Sequence, residues 1–119
     1  MNATITKPGY MPDGFEEIDV ETIKIDNLEK FDFIKIDAEG GEEKIWNGMQ
    51  EYLNKYPDTL ILMEWRYDRY ENSEAFAEKM FDRCSITSVD FDGGEQSIDL
   101  EKLYTKKNED WMLVLRRKQ

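Results

Sequence analysis

Three carboxylates stand where strand-forming patterns run out. Asp37 and Glu39 lie in "FIKIDAEGGEEKIWNG" (33–48), and Glu64 lies in "TLILMEW" (59–65). Converging carboxylates have three uses: holding a hard cation through oxygen, sharing a proton as a general base, or capping a backbone end in solvent. Asp37 ends one apolar stretch and Glu64 ends the next. If the two are adjacent parallel strands, about 4.8 Å apart, both carboxyls reach one mouth. Glu39 lies two residues on, over the same mouth. Gly40 and Gly41 free that turn for positive φ or for close approach to a ligand. The plainer reading makes Asp37 a strand-end cap, with Glu42 and Glu43 complementing a helix dipole. Glu64 is less ordinary, because a carboxylate closing a buried strand is costly unless paired or used. Trp65, Arg66, Tyr67, Arg69 and Tyr70 follow it directly. They read either as a ring-stacking wall with an arginine fork, or as aromatics covering a sheet edge.

Composition narrows the chemistry. The 119 residues include no histidine and one cysteine, Cys84. Ser-His-Asp and Cys-His catalysis are excluded, as are imidazole-held zinc and any internal disulfide. A general base must be Asp, Glu, Lys or Tyr. A metal held by Asp37 and Glu64 would be bound through oxygen, which favours magnesium or manganese. Acids number 27 against 16 Lys and Arg, a net charge of −11. That field repels phosphate backbones and anionic bilayers, so neither nucleic acid nor membrane is expected as a partner. No apolar run approaches the roughly 20 residues of a membrane span, and the chain reads as cytoplasmic.

The length fits one domain. Residues 1–17, with Pro8, Gly9, Pro12 and Gly14, read as an N-terminal arm or loop, and 18–119 as the domain. Alternation at Ile18, Val20, Ile23 and Ile25, with a slip at Thr22, predicts a strand over 18–26. Strands are also predicted at 31–37, 59–65, 86–91 and 111–117. Helices are predicted at about 42–56 and from Ser73, as N-cap, through Cys84, with a short one in "SIDLEKLY". The nearly continuous apolar run 59–65 implies a strand covered on both faces. Strands alternating with helices predict an α/β fold of parallel strands with crossover helices, closed by an antiparallel last strand. Lys35 reads as a snorkelling or paired side chain and Cys84 as core.

The segment from 31 to 65 resembles the FkbM-type methyltransferases. Their pattern "IKID-x-EG-x-E", a helix with a late Gly, and a "P…ilvE" strand fall on Ile34, Lys35, Ile36, Asp37, Glu39, Gly40, Glu42, Gly48, Pro57 and Glu64. Upstream, "ETIKIDNL" is similar to the family's "tLDdl", with Asp26 in place and Ile25 where Leu is usual. The resemblance covers roughly 20–116. It implies S-adenosylmethionine-dependent methyl transfer, mostly to oxygen, with sugar or natural-product hydroxyls as acceptors. It also implies a Rossmann-like methyltransferase sheet, in which the strand ending at Asp37 is fourth and that ending at Glu64 fifth. Asp37 and Glu39 would then be catalytic, Asp37 and Gly40 would face the cofactor, and Glu64, Trp65 and Arg66 the acceptor. Asp37 and Glu64 would hold any metal.

The family's Gly-rich loop after a first strand, and its acid after a second, have no counterpart in residues 1–17. The chain therefore resembles the C-terminal half of the domain. An apolar strand edge at 31–37 is then expected to pair with a second copy or a complementing chain. The rival to an enzyme is a non-catalytic half-domain acting as a binding or assembly module.

Overall fold

The computed structural model describes Gly14 and residues 16–119. The arm expected at 1–17 thus falls almost wholly outside the described residues. The elements are β1 (Phe33–Ile36), α1 (Glu42–Asn47), α2 (Gln50–Lys55), β2 (Leu60–Trp65), α3 (Ser73–Arg83), β3 (Cys84–Val89), β4 (Glu95–Ser97), α4 (Leu100–Thr105) and β5 (Trp111–Arg117). The strands form one mixed sheet in the order β1-β2-β5-β3-β4.

The expected parallel sheet is only partly realised. β1 and β2 are parallel, with Phe33 opposite Leu60 and Ile36 opposite Met63. The other neighbours, β2–β5, β5–β3 and β3–β4, are antiparallel. The crossover rule itself holds. Because β5 runs against both β2 and β3, those two strands point the same way, as a helical connection through α3 requires. β5 fills the gap between them. It does so antiparallel because the link from β3 contains only the β4 hairpin and the short α4, too little for a return crossover.

One hydrophobic core lies on one face of this sheet. It joins Trp46 of α1, Tyr52 and Leu53 of α2, Phe76, Ala77 and Met80 of α3, and Leu103 of α4 to the inward residues Ile36, Ile61, Met63, Trp65, Cys84, Ile86, Leu113 and Leu115. The alternate residues, Phe33, Lys35, Leu60, Leu62, Glu64, Met112 and Val114, point the other way. Among the described residues no helix contributes to that second face. β2 is therefore covered on one face, not on both, and its burial alternates along the strand.

Two local expectations change with physical cause. The helix over 42–56 is broken at Gly48–Met49. A 3-10 turn at Ile25–Asn27 enters the break. The Asp26 N–H donates to the Gly48 carbonyl at 3.0 Å, and the Tyr52 N–H donates to Asp26 Oδ1 at 2.8 Å. Asp26 thus caps α2 from a distance, replacing a side-chain cap that Met49 cannot provide. The strand expected at 18–26 is absent. Residues 16–24 lie in no strand, because alternation supplies an apolar face and no neighbour for it. At α3, Asn72 is the cap, its Oδ1 accepting from the Ala75 N–H at 3.3 Å. Ser73 is buried and its hydroxyl donates instead to the Tyr67 carbonyl.

Candidate functional site

The parallel register of β1 and β2 decides what the two acids do. Ile36 lies opposite Met63, so Asp37 and Glu64 are the next residues on adjacent strands. Both leave the sheet at its carboxyl end, on the face without helices. Asp37 and Glu64 therefore stand as neighbouring carboxyls. Hydrogen bonding to Asp37, then partial burial, then the Asp37 charge push Glu64 up to about 7, against the opposing pull of Arg69. Neighbouring carboxyls behave this way, because the second ionisation must proceed beside an existing negative charge. The side chain of Glu64 is 18% exposed, and Asp37 is exposed. The pair is thus open to an incoming hydroxyl.

The turn that follows is held by a residue read from sequence only as a dipole partner. Glu42 is 0% exposed. Its two carboxylate oxygens accept from the Gly40 N–H at 3.2 and 3.1 Å, and Oε1 also accepts from the Tyr70 hydroxyl at 3.4 Å. Burial, reinforced by the Glu42 charge, raises the Tyr70 phenol well above its ordinary range. The tether closes a turn in which Glu39 takes φ 48° and Gly40 φ 108°. At Gly40 the backbone conformation excludes other residues, and there is space for a Cβ, 3.8 Å from the Arg69 carbonyl. Glu39 itself is exposed. Glu42 was legible in principle: with Trp46, Met49 and Leu53 it falls on one buried helical face.

The loop after β2 completes an alternating charge chain. Arg69 bonds Glu64 at 3.2 Å and lies 3.6 Å from Asp110. Arg66 lies 3.9 Å from Asp110 and bonds Asp68 at 2.8 Å. Asp110 carries no local signal in the sequence. It arrives because β5 pairs antiparallel with β2, setting Trp65 opposite Trp111, so the residue before Trp111 meets those after Trp65. Of the aromatic–basic cluster, Arg69 bonds Glu64 directly, Arg66 joins through Asp110, and the Tyr70 hydroxyl reaches Glu42 and the Glu64 carbonyl. Trp65 is a core residue, not a stacking wall: it is 0% exposed, with ring centroids 4.8 Å from Tyr70 and 5.3 Å from Phe76. The indole N–H groups of Trp65 and Trp111 are buried without a hydrogen-bond acceptor among the described residues.

The Methyltransferase FkbM domain model matches residues 2–100. The chain belongs to this methyltransferase domain family. Comparison with curated proteins and with solved structures gave no match. The FkbM match takes in the acid pair, the Glu42 tether and the arginine loop, and ends at the first residue of α4, so Asp110 and β5 lie beyond it.

The expectation of a metal on Asp37 and Glu64 finds no support. Among the described residues no three acidic, Cys or His side chains are grouped to hold an ion. Arg69 already supplies the positive charge beside Glu64. Surface clefts among the described residues include one between Tyr67, Tyr70, Asn72 and Lys107 and another beside Asp26, Tyr52 and Asn54. Neither of these is bordered by Asp37, Glu39, Gly40 or Glu64. Among them no helix is long and apolar enough to cross a membrane.

Proposed function

We propose that this chain takes part in S-adenosylmethionine-dependent O-methylation of a small-molecule, sugar or natural-product hydroxyl. One observation carries the reading: within a methyltransferase domain, the ends of two adjacent parallel strands carry Asp37 and Glu64 side by side, with Glu64 pushed up to about 7. A hydroxyl oxygen that gains a methyl group must lose its proton. A base poised near neutral pH accepts that proton most effectively. In this proposal Glu64, ionised and held by Arg69, takes it. Asp37 receives the hydrogen bond of the protonated Glu64 and orients the acceptor. Glu39 stands over the same turn as a second orienting carboxylate, and Arg66 binds acceptor oxygen atoms. The steps assigned to this chain are those of its own side chains. Asp37 and Gly40 are the cofactor-facing positions in this proposal.

The test is transfer of label from methyl-labelled S-adenosylmethionine to a panel of hydroxylated acceptors. Glu64→Gln, isosteric but unable to accept the proton, should lower turnover about 10²-fold or more with the fold intact. Undiminished turnover would remove Glu64 from the chemistry.

A second reading, a non-catalytic half-domain serving as a binding or assembly module, is favoured by the exposure of Asp37 and Glu39 to solvent. Calorimetry with S-adenosylmethionine separates the two. Heat of binding at micromolar ligand supports the enzyme, and silence from a folded sample supports the module.

A further inference from the structure

Two features of the molecule each lack a counterpart. The first is residues 16–24, Glu-Glu-Ile-Asp-Val-Glu-Thr-Ile-Lys, which lie in no helix or strand. Ile18, Val20 and Ile23 are 70, 71 and 66% exposed. Ile18 and Val20, two apart, fall on one face of a strand, and Ile23 falls on the other. The second is β1, which among the described residues is the edge of the sheet and pairs with β2 alone. Its outward Phe33 is 51% exposed, and it adjoins the helix-free face carrying Leu60 and Leu62. A parallel edge with free N–H and C=O groups is a template for another strand. Within one chain the two do not meet. Lys24 is pinned at the helix layer, its Cβ beside Gly48, and Asp26 is bonded into the α1–α2 break. The segment leaves from there and β1 stays bare.

Charge selects the occupant of the edge. Lys35 is the only charged residue within β1. Pairing β1 with a second β1 would gather two Lys35 side chains at one seam, which is unfavourable. The segment 16–24 instead carries Glu16, Glu17, Asp19 and Glu21 against Lys24 alone. Among the described residues neither Lys30 nor Lys35 has an ion-pair partner. An alternating strand sets Asp19 and Glu21 beside Lys35 on one face and Ile18 and Val20 beside Ile34 and Ile36 on the other.

We infer that residues 16–24 of one copy add as a strand to the free edge of β1 in a second copy. The exchange is reciprocal, so a closed twofold dimer results with no free β1 edge. This does not depend on the enzymatic reading, and its test needs no activity.

The test is light scattering on the full chain across a concentration series, with three variants. Val20→Pro removes an N–H and fixes φ on the added strand. Lys35→Glu reverses the charge on the edge. A charge-swapped variant combines Lys35→Glu with Asp19→Lys and Glu21→Lys. All these positions are exposed, and circular dichroism confirms that each variant folds. The expected result is a concentration-dependent dimer, lost in Val20→Pro and in Lys35→Glu, and restored in the charge swap. A monomer at every concentration would overturn the inference. So would a dimer indifferent to both single substitutions. A monomer whose β1 amides are protected from hydrogen exchange in a Val20-dependent way would assign the edge to the chain's own segment, which also overturns it.

Discussion

The two faces of β2 differ by one residue of register and by nearly everything else. Ile61, Met63 and Trp65 point into a core built by all four α-helices. Leu60, Leu62 and Glu64 point to a face that no helix covers among the described residues. The inner face is held by contact area: Trp65, Phe76 and Tyr70 lie with ring centroids about 5 Å apart. The outer face is held by little, and it carries the acid pair, Arg69 and Asp110. A strand end can thus anchor the fold through one residue and expose a titratable group through the previous one. That is how a small domain keeps a reactive carboxyl open without loosening its core.

The largest effect should come from the inner face. Trp65→Ala removes the most enclosed aromatic and should cost about 3–5 kcal/mol in denaturant unfolding. A loss below about 1 kcal/mol would show that Trp65 is not the anchor.

Next comes the tether that links the faces. Glu42→Ala strands the Gly40 N–H, leaves the Tyr70 hydroxyl only the Glu64 carbonyl, and should cost about 1–3 kcal/mol. Glu42→Gln keeps an acceptor oxygen and should cost less. Faster hydrogen exchange at the Gly40 amide in Glu42→Ala alone would place the damage in the turn.

Smaller again is the pH dependence of the outer pair. Glu64 is raised in the folded state, so its contribution to stability is fully present below its ordinary value of 4.5 and is lost as pH rises through about 7. Glu64→Gln should flatten that slope between about 4.5 and 7. Turnover should run the opposite way, rising through about 7 as the base loses its proton. An unchanged stability slope in Glu64→Gln would break the assignment.

The smallest effect belongs to the exposed cross-strand pair of Arg116 and Glu95, bonded at 2.8 Å. Arg116 holds Glu95 down to about 2. What that pair contributes is present above about pH 4.5 and lost as pH falls toward 2. Arg116→Ala should leave Tm at neutral pH unchanged, because exposed pairs are weakened by solvent and salt.

The inner face was legible in the sequence and the outer one only in part. Apolar runs identify β2 and β5, and the i, i+3, i+4 spacing of Phe76, Ala77 and Met80 identifies α3, because burial is written into local periodicity. Cys84 reads as core and is, with burial raising its thiol up to about 11. The convergence of Asp37 and Glu64 followed from two parallel strand ends. What failed needed partners distant in the chain. Ile18, Val20 and Ile23 alternate like a strand, yet alternation cannot supply the neighbour that makes one. The break at Gly48 depends on Asp26, two dozen residues from the helix that it caps. Asp110 enters the site only through the antiparallel register of β5, which no pattern around residue 110 encodes.

The central claim is that residues 37 and 64 share one proton. Carboxyl-resolved NMR titration of the full chain tests it directly, with Asp37→Asn as the comparison. The account predicts a Glu64 midpoint near 7 that falls back toward 4.5 when the Asp37 charge is removed. A midpoint near 4.5 in both proteins would contradict it.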